Sequence, residues 1–352
     1  MTLSDHFSTE SHIAQPKIIL HEQPSLDVAP PIGVTPPQIL AQRAADGQRG
    51  AAWRLLHRIV ENDPQAIEAV TALQDDRLAR NLVEFIALGT WAGKSFDVPV
   101  SLRSSYTRTR LRTLFLPPAG IDQARAERVL TAALRDERLA VRETAMYLLG
   151  IIGSSVAVPE LIQALHDPMP STRLEAVKAL GRTGSPEAVP ALLDALHGAD
   201  EQMGTQIFRA LVSLGHVAVP ALLETCLSSS PWVRWHSVRA LGEIHDDAAL
   251  PALVRALNDT DHSVAWMAAK GLASFGKECV KPILHLLINA ETTPWLRETA
   301  SYVLDKQCRY HTELKLYLQP LLQEMHQSAY REGTGYTALK ALEHLETDGV
   351  LS

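Results

Sequence analysis

Five prolines set the frame of this chain. Pro159, Pro190, Pro220, Pro251 and Pro282 recur at intervals of 31, 30, 31 and 31 residues. Each opens an apolar stretch, as in Val158–Leu165, Val189–Leu196 and Leu250–Leu257. Proline suits the first helical turn, where its missing N–H has no intrahelical partner to lose. It also biases the residue before it away from helix, which marks a boundary. A polar turn follows, as at Asp167-Pro168 or Asn258-Asp259, then a second helical stretch, then a break near Gly153, Gly184 or Gly215. A helix pair of this length cannot bury its apolar face alone, so neighbouring pairs must stack to supply the core. The expected fold class is all-α: a right-handed α-solenoid of roughly seven to nine helix pairs with a period of about 31 residues.

The second helices carry two apolar columns. Leu149, Leu180, Leu211, Leu241, Leu272 and Leu304 form one; Val141, Thr172, Met203, Val233, Val264 and Leu296, eight residues earlier, form the other. With Ala145, Ala176, Ile207 and Ala268 between them, they make one face at helical period. Ala72–Gly89 matches Ala133–Gly150 at eight of eighteen positions with an offset of 61, so degenerate repeats are expected upstream. Downstream, Pro320 reads as the opening of a further first helix with Tyr336–Leu345 as its partner. The expected organisation is a proline-rich flexible tail over 1–35 and a helical region with an irregular insertion over 36–121. Regular repeats follow over 122–306, then an atypical capping repeat over 307–352.

Composition limits the function classes. The chain is 46% hydrophobic but only 5% aromatic, so Leu, Ala, Val and Ile must fill the core. A net charge of −7 weighs against bulk nucleic-acid binding. No uninterrupted apolar run reaches the ~18 residues of a membrane span, so none is expected. Cys226, Cys279 and Cys308 are odd in number and far apart, which suits the cytoplasm rather than a disulfide framework or a metal site. No metal and no cofactor is expected. The one adjacent His-Glu, His21-Glu22, falls in the tail, and no G-x-S-x-G nucleophile elbow is present. Gly89–Ser95 lacks the spacing of a phosphate loop and reads as a helix C-terminus ended by glycine.

The repeat resembles HEAT-like repeats, especially the short variety of the phycobilisome bilin-lyase family. Val141–Ala145, the turn Asp167 with Arg173, Leu174–Gly181 and Val233–Gly242 carry the resemblance. It implies that the second helices line a concave face. It also implies that Arg142, Arg173, Arg234 and Arg297 are structural and pair with the acid of their turn: Asp136, Asp167 and Glu291 precede three of them by six residues. Ser228 stands in that place before Arg234, so this arginine is expected to be freer.

A strip on the second helices is the candidate site. It reads Tyr147, Lys178, Arg209, Arg239, Lys270 and Tyr302, with cations in four consecutive repeats. Trp235 and Trp266 lie four residues before Arg239 and Lys270, on the same face, and His236 and Met267 are expected on that exposed side. The expected contact residues are therefore Lys178, Arg209, Trp235, His236, Arg239, Trp266 and Lys270, with the two tryptophans, Arg239 and Lys270 in one patch. Arg103, Arg108, Arg110 and Arg112, with no acid between them, form a secondary basic patch. The function these features favour is a non-catalytic protein–protein interaction scaffold or adaptor. Its partner would be a protein with an acidic or extended surface. Two rivals stand beside it: a bilin lyase-like tetrapyrrole-handling protein and a HEAT-like DNA-binding protein. An enzyme is the less favoured class.

Overall fold

The computed structural model describes residues 35–61, 63–73, 77–79, 82–83, 90–91, 94–95, 123–291, 293–327 and 333–351. The tail over 1–34, the insertion and the basic patch of Arg103, Arg108, Arg110 and Arg112 lie outside the described residues.

The described chain is built of α-helices, and the fold is an all-α solenoid. Three helices come first: α1 (Pro37–Ala45), α2 (Arg49–Val60) and α3 (Pro64–Ala72). The repeats follow as first- and second-helix pairs: α4 (Gln123–Ala133) with α5 (Leu139–Ile152), α6 (Val158–Ala164) with α7 (Pro170–Thr183), and α8 (Ala188–Leu196) with α9 (Glu201–Leu214). Next come α10 (Val219–Thr225) with α11 (Pro231–Ile244), and α12 (Leu250–Ala256) with α13 (His262–Leu272). The chain closes with α14 (Val280–Asn289), α15 (Pro294–Tyr310), α16 (Lys315–His326) and α17 (Thr334–Thr347). Thr90–Trp91 pairs antiparallel with Lys94–Ser95 as a minimal strand pair; Gly89, where a helix end is expected, lies outside the described residues.

Local signals start and stop these helices. Asp200, Asp261 and Thr293 cap α9, α13 and α15 by accepting from backbone N–H groups of the first turn. The turns after α5, α7, α9 and α13 take a left-handed residue, supplied by Gly153, Gly184, Gly215 and Gly276; after α11, His245 takes the same position at φ 60° and packs on Phe275. Glu201–Thr225 has the length and composition of a membrane span, but the turn at Gly215 divides it into α9, a 3₁₀ segment and α10.

Every member of the leucine column is fully buried. Around it, small residues let the second helices nearly touch. A Cβ on Gly150 would lie 2.8 Å from the Ala179 Cα, one on Gly181 2.6 Å from the Ala210 Cα, and one on Gly242 2.8 Å from the Gly271 Cα. The second helices thus contact each other far more extensively than the first helices do.

The last pair departs from the expectation. Pro320 lies inside α16, which begins at Lys315 after a 3₁₀ turn, and does not open a helix. The two layers also exchange roles. α16 packs on α15, a second helix, whereas α17 packs on α14, a first helix. Gly335 permits this close approach, because a Cβ there would sit 3.3 Å from the Leu287 carbonyl oxygen.

Candidate functional site

The recurring arginines explain how the repeats lock and where they leave an opening. Arg142 Nη1 donates to the Asp136 and Glu137 carbonyls of its own turn at 2.9 and 3.0 Å, and Arg173 does the same to Asp167 and Pro168 at 2.9 and 3.1 Å. The carboxylate partner is on the next repeat: Arg142 reaches Asp167 at 3.7 Å, and Arg234 holds both oxygens of Asp259 at 2.7 and 2.8 Å. Arg234 therefore is not freed by Ser228. It donates to the Ser228 carbonyl and to a bidentate acid, and is the best-held of the series. Its pKa is raised, first by the hydrogen bond to Asp259. Arg297 donates instead to the Glu324, Met325 and Gln327 carbonyls at the end of α16.

Two repeats lack this arginine. Aligning the repeats on the leucine column places Gly204 and Ala265 in the arginine position, and Gly198 in the acid position. Both following second helices begin Pro-Trp: Pro231-Trp232 and Pro294-Trp295. In both places a donor from that helix reaches the end of the preceding repeat's first helix. Trp232 Nε1 donates to the Leu196 carbonyl at 3.2 Å, and Thr299 Oγ1 donates to the equivalent Leu257 carbonyl at 3.1 Å. At Gly204 the space is taken by side chains of α11. A Cβ there would lie 2.6 Å from Trp232 and 3.0 Å from His236 Nε2.

This irregularity borders a pocket of about 500 Å³ spanning three successive second helices. α9 gives Glu201 and Thr205; α11 gives Pro231, Trp232, Trp235, His236 and Arg239; the start of α13 gives Ser263, with its cap Asp261 beside it. His236 is 1% exposed, which corrects its expected place on the open surface. Its ring stands edge-on between Trp232 at 4.4 Å and Trp235 at 4.8 Å. Neither ring nitrogen has a hydrogen-bond partner among the described residues. Burial, with the nearby Arg239 charge, lowers its pKa to about 4, so it is neutral at pH 7. The Arg239 guanidinium lies 3.9 Å over the Phe208 ring and 5.3 Å from that of Trp235.

The structure brings Trp235, His236 and Arg239 into this one pocket and leaves the other candidates apart. Lys270 lines a neighbouring pocket of about 460 Å³ with Tyr302, Lys306, Gln307 and Tyr310. Trp266 stacks toward Tyr302 at 4.9 Å and His262 at 6.4 Å. The expected single patch is thus two pockets. Lys178 pairs with Glu175 on its own helix at 3.0 Å, and Arg209 is exposed in neither pocket. Among the described residues no group of three His, Cys, Asp or Glu could share a metal ion. The sequence reading missed Trp232, Glu201, Thr205 and Asp261 as pocket residues. The break in the arginine column at Gly204 was the signal that points to them.

Comparison with known proteins agrees with the repeat geometry. A model described as HEAT repeats matches residues 158–232 and 219–305, and one described as PBS lyase HEAT-like repeat matches residues 141–167. The chain is a HEAT-like repeat protein. Comparison with curated proteins gives no match. Among solved structures, the CpcE–CpcF complex of phycocyanin lyase from Nostoc sp. PCC7120 is similar at 20% identity, over 76% of this chain and 94% of that one, with a TM-score of 0.32. The archaeal HEAT-like repeats protein from Thermococcus onnurineus NA1 is 16% identical over 53% and 88%, with a TM-score of 0.35. The S. pombe condensin Cnd3–Cnd2 subcomplex is 16% identical over 89% and 42%, with a TM-score of 0.45.

Proposed function

We propose that the chain is a non-catalytic interaction scaffold that docks a protein partner along its second-helix face, with the pocket across α9, α11 and α13 at the centre of the contact. One observation carries this reading: three successive repeats converge on a pocket holding Trp235, an arginine over the Phe208 ring, and a buried histidine without a partner among the described residues. Aromatic and arginine side chains are what binding hot spots use. The partner offers an acidic or extended surface. The three free thiols fit a reducing compartment such as the cytoplasm.

Affinity purification of the full chain followed by mass spectrometry tests the reading. A partner retained by the wild-type protein should be lost from a Trp235→Ala, Arg239→Ala variant that melts with the wild type. Recovery of the same partner by both proteins would sink it. A visible absorbance shift on adding a bilin, or a gel shift with duplex DNA at moderate salt, would instead favour one of the two rival functions.

A further inference from the structure

We infer that the pocket between α9, α11 and α13 takes a carboxylate side chain from an extended segment of the partner, with Arg239 as its anchor. This rests on the second-helix face being the docking surface, and adds the chemistry of what docks.

Arg239 is the charge left over in this pocket. The rings of Phe208, at 3.9 Å, and Trp235, at 5.3 Å, hold its guanidinium, and no carboxylate among the described residues bonds to it. A guanidinium held this way is preorganised for a bidentate acceptor. The two acids at the rim do not fill that role. Asp261 already accepts from the Ser263 and Val264 N–H groups at 2.9 and 3.3 Å as the cap of α13. Glu201 is in the first turn of α9. Each thus faces a helix N-terminus carrying roughly +0.5 of an elementary charge.

Two further observations mark the place as built for a ligand. The clamp that closes the α11–α13 junction is missing between α9 and α11, since Gly204 stands in the arginine position and Ser228 in the acid position of the next repeat. The space is lined by His236, buried and without a hydrogen-bond partner among the described residues. Trp232 and Trp235 would cover the methylenes of such a side chain and keep water from the ion pair. The pocket opens across three repeats rather than into one, so a segment laid along the second helices fits it better than a compact ligand.

A phage-displayed library of random linear peptides, panned against the full wild-type chain and against Arg239→Gln, tests this. The expected result is a consensus with one fixed Asp or Glu beside apolar residues, enriched by the wild type and lost with the variant. The consensus peptide, titrated by tryptophan fluorescence, should weaken at least about tenfold when its acid is changed to the amide. Arg239→Lys, which keeps the charge and loses the fork, should fall between wild type and Arg239→Gln and serves if the glutamine variant melts early. A consensus rich in Lys or Arg, no acid enrichment, or a peptide indifferent to both changes would each overturn the inference. If the native partner is still lost from the Trp235→Ala, Arg239→Ala protein, docking stands and only the carboxylate chemistry fails; if the partner is retained, docking fails with it.

Discussion

Replacing Arg234 by glutamine should cost far more stability than the same change at Arg173. Both arginines donate to two carbonyls of their own turn, so that loss is common to the two variants. Arg234 also holds Asp259 through two charge-assisted bonds at 2.7 and 2.8 Å, with the side chains only 12% and 11% exposed. Arg173 has no such partner, because Gly198 stands where the next repeat would supply the acid. Losing carbonyl bonds alone costs about 1–2 kcal/mol, whereas breaking a nearly buried pair and stranding its carboxylate costs about 3–5 kcal/mol. Arg234→Gln should therefore exceed Arg173→Gln by about 2–3 kcal/mol. Urea unfolding followed by circular dichroism measures the difference. Hydrogen exchange locates it, with faster exchange expected around Asn258–Val264, since stacked repeats open locally when one interface weakens. Pairing within a single turn predicts the reverse order, because Arg173 follows Asp167 and Arg234 follows Ser228. Equal losses, or a larger loss at Arg173, would refute clamping between repeats.

Two further outcomes follow from buried groups. His236→Leu should stabilise the protein at pH 7 by about 1 kcal/mol, because it removes two unpartnered buried nitrogens. The folded protein holds the His236 pKa near 4 against 6.5 when unfolded, so the unfolded chain binds the extra proton between those values. Wild-type stability should thus fall as pH drops from 6.5 to 4, by up to about 3 kcal/mol, and this part of the slope should vanish in His236→Leu. Burial pushes the thiols of Cys226 and Cys279 to about 12 and that of Cys308 to about 11. At pH 8 a disulfide reagent should leave the buried Cys279 and Cys308 unmodified in the native protein, modify the half-buried Cys226 slowly, and titrate all three in urea; rapid native labelling of Cys279 or Cys308 would contradict their burial.

The repeat period, the helix pairs and the buried columns were legible in the chain itself. They depend on signals confined to one helix: proline at its start, a left-handed turn at its end, and apolar residues at helical spacing between. The aromatic–cation strip was legible for the same reason, since Trp235 and Arg239 are four apart on one helix. What lies between repeats was not. The partner of Arg234 is Asp259, 25 residues on, whereas its own turn offers only Ser228 where other turns place an acid. His236 shares a face with exposed residues by periodicity, yet the glycine at 204 on the preceding second helix draws its ring inward. α17 crosses to the first-helix layer although its own apolar pattern matches a second helix, because the end of the stack leaves α14 to be covered. Each outcome turns on the offset between neighbouring repeats, which decides whether an arginine finds an acid, a carbonyl or an empty space across the interface. A sequence states the period of a solenoid; the stacking alone sets that offset, and with it the pocket.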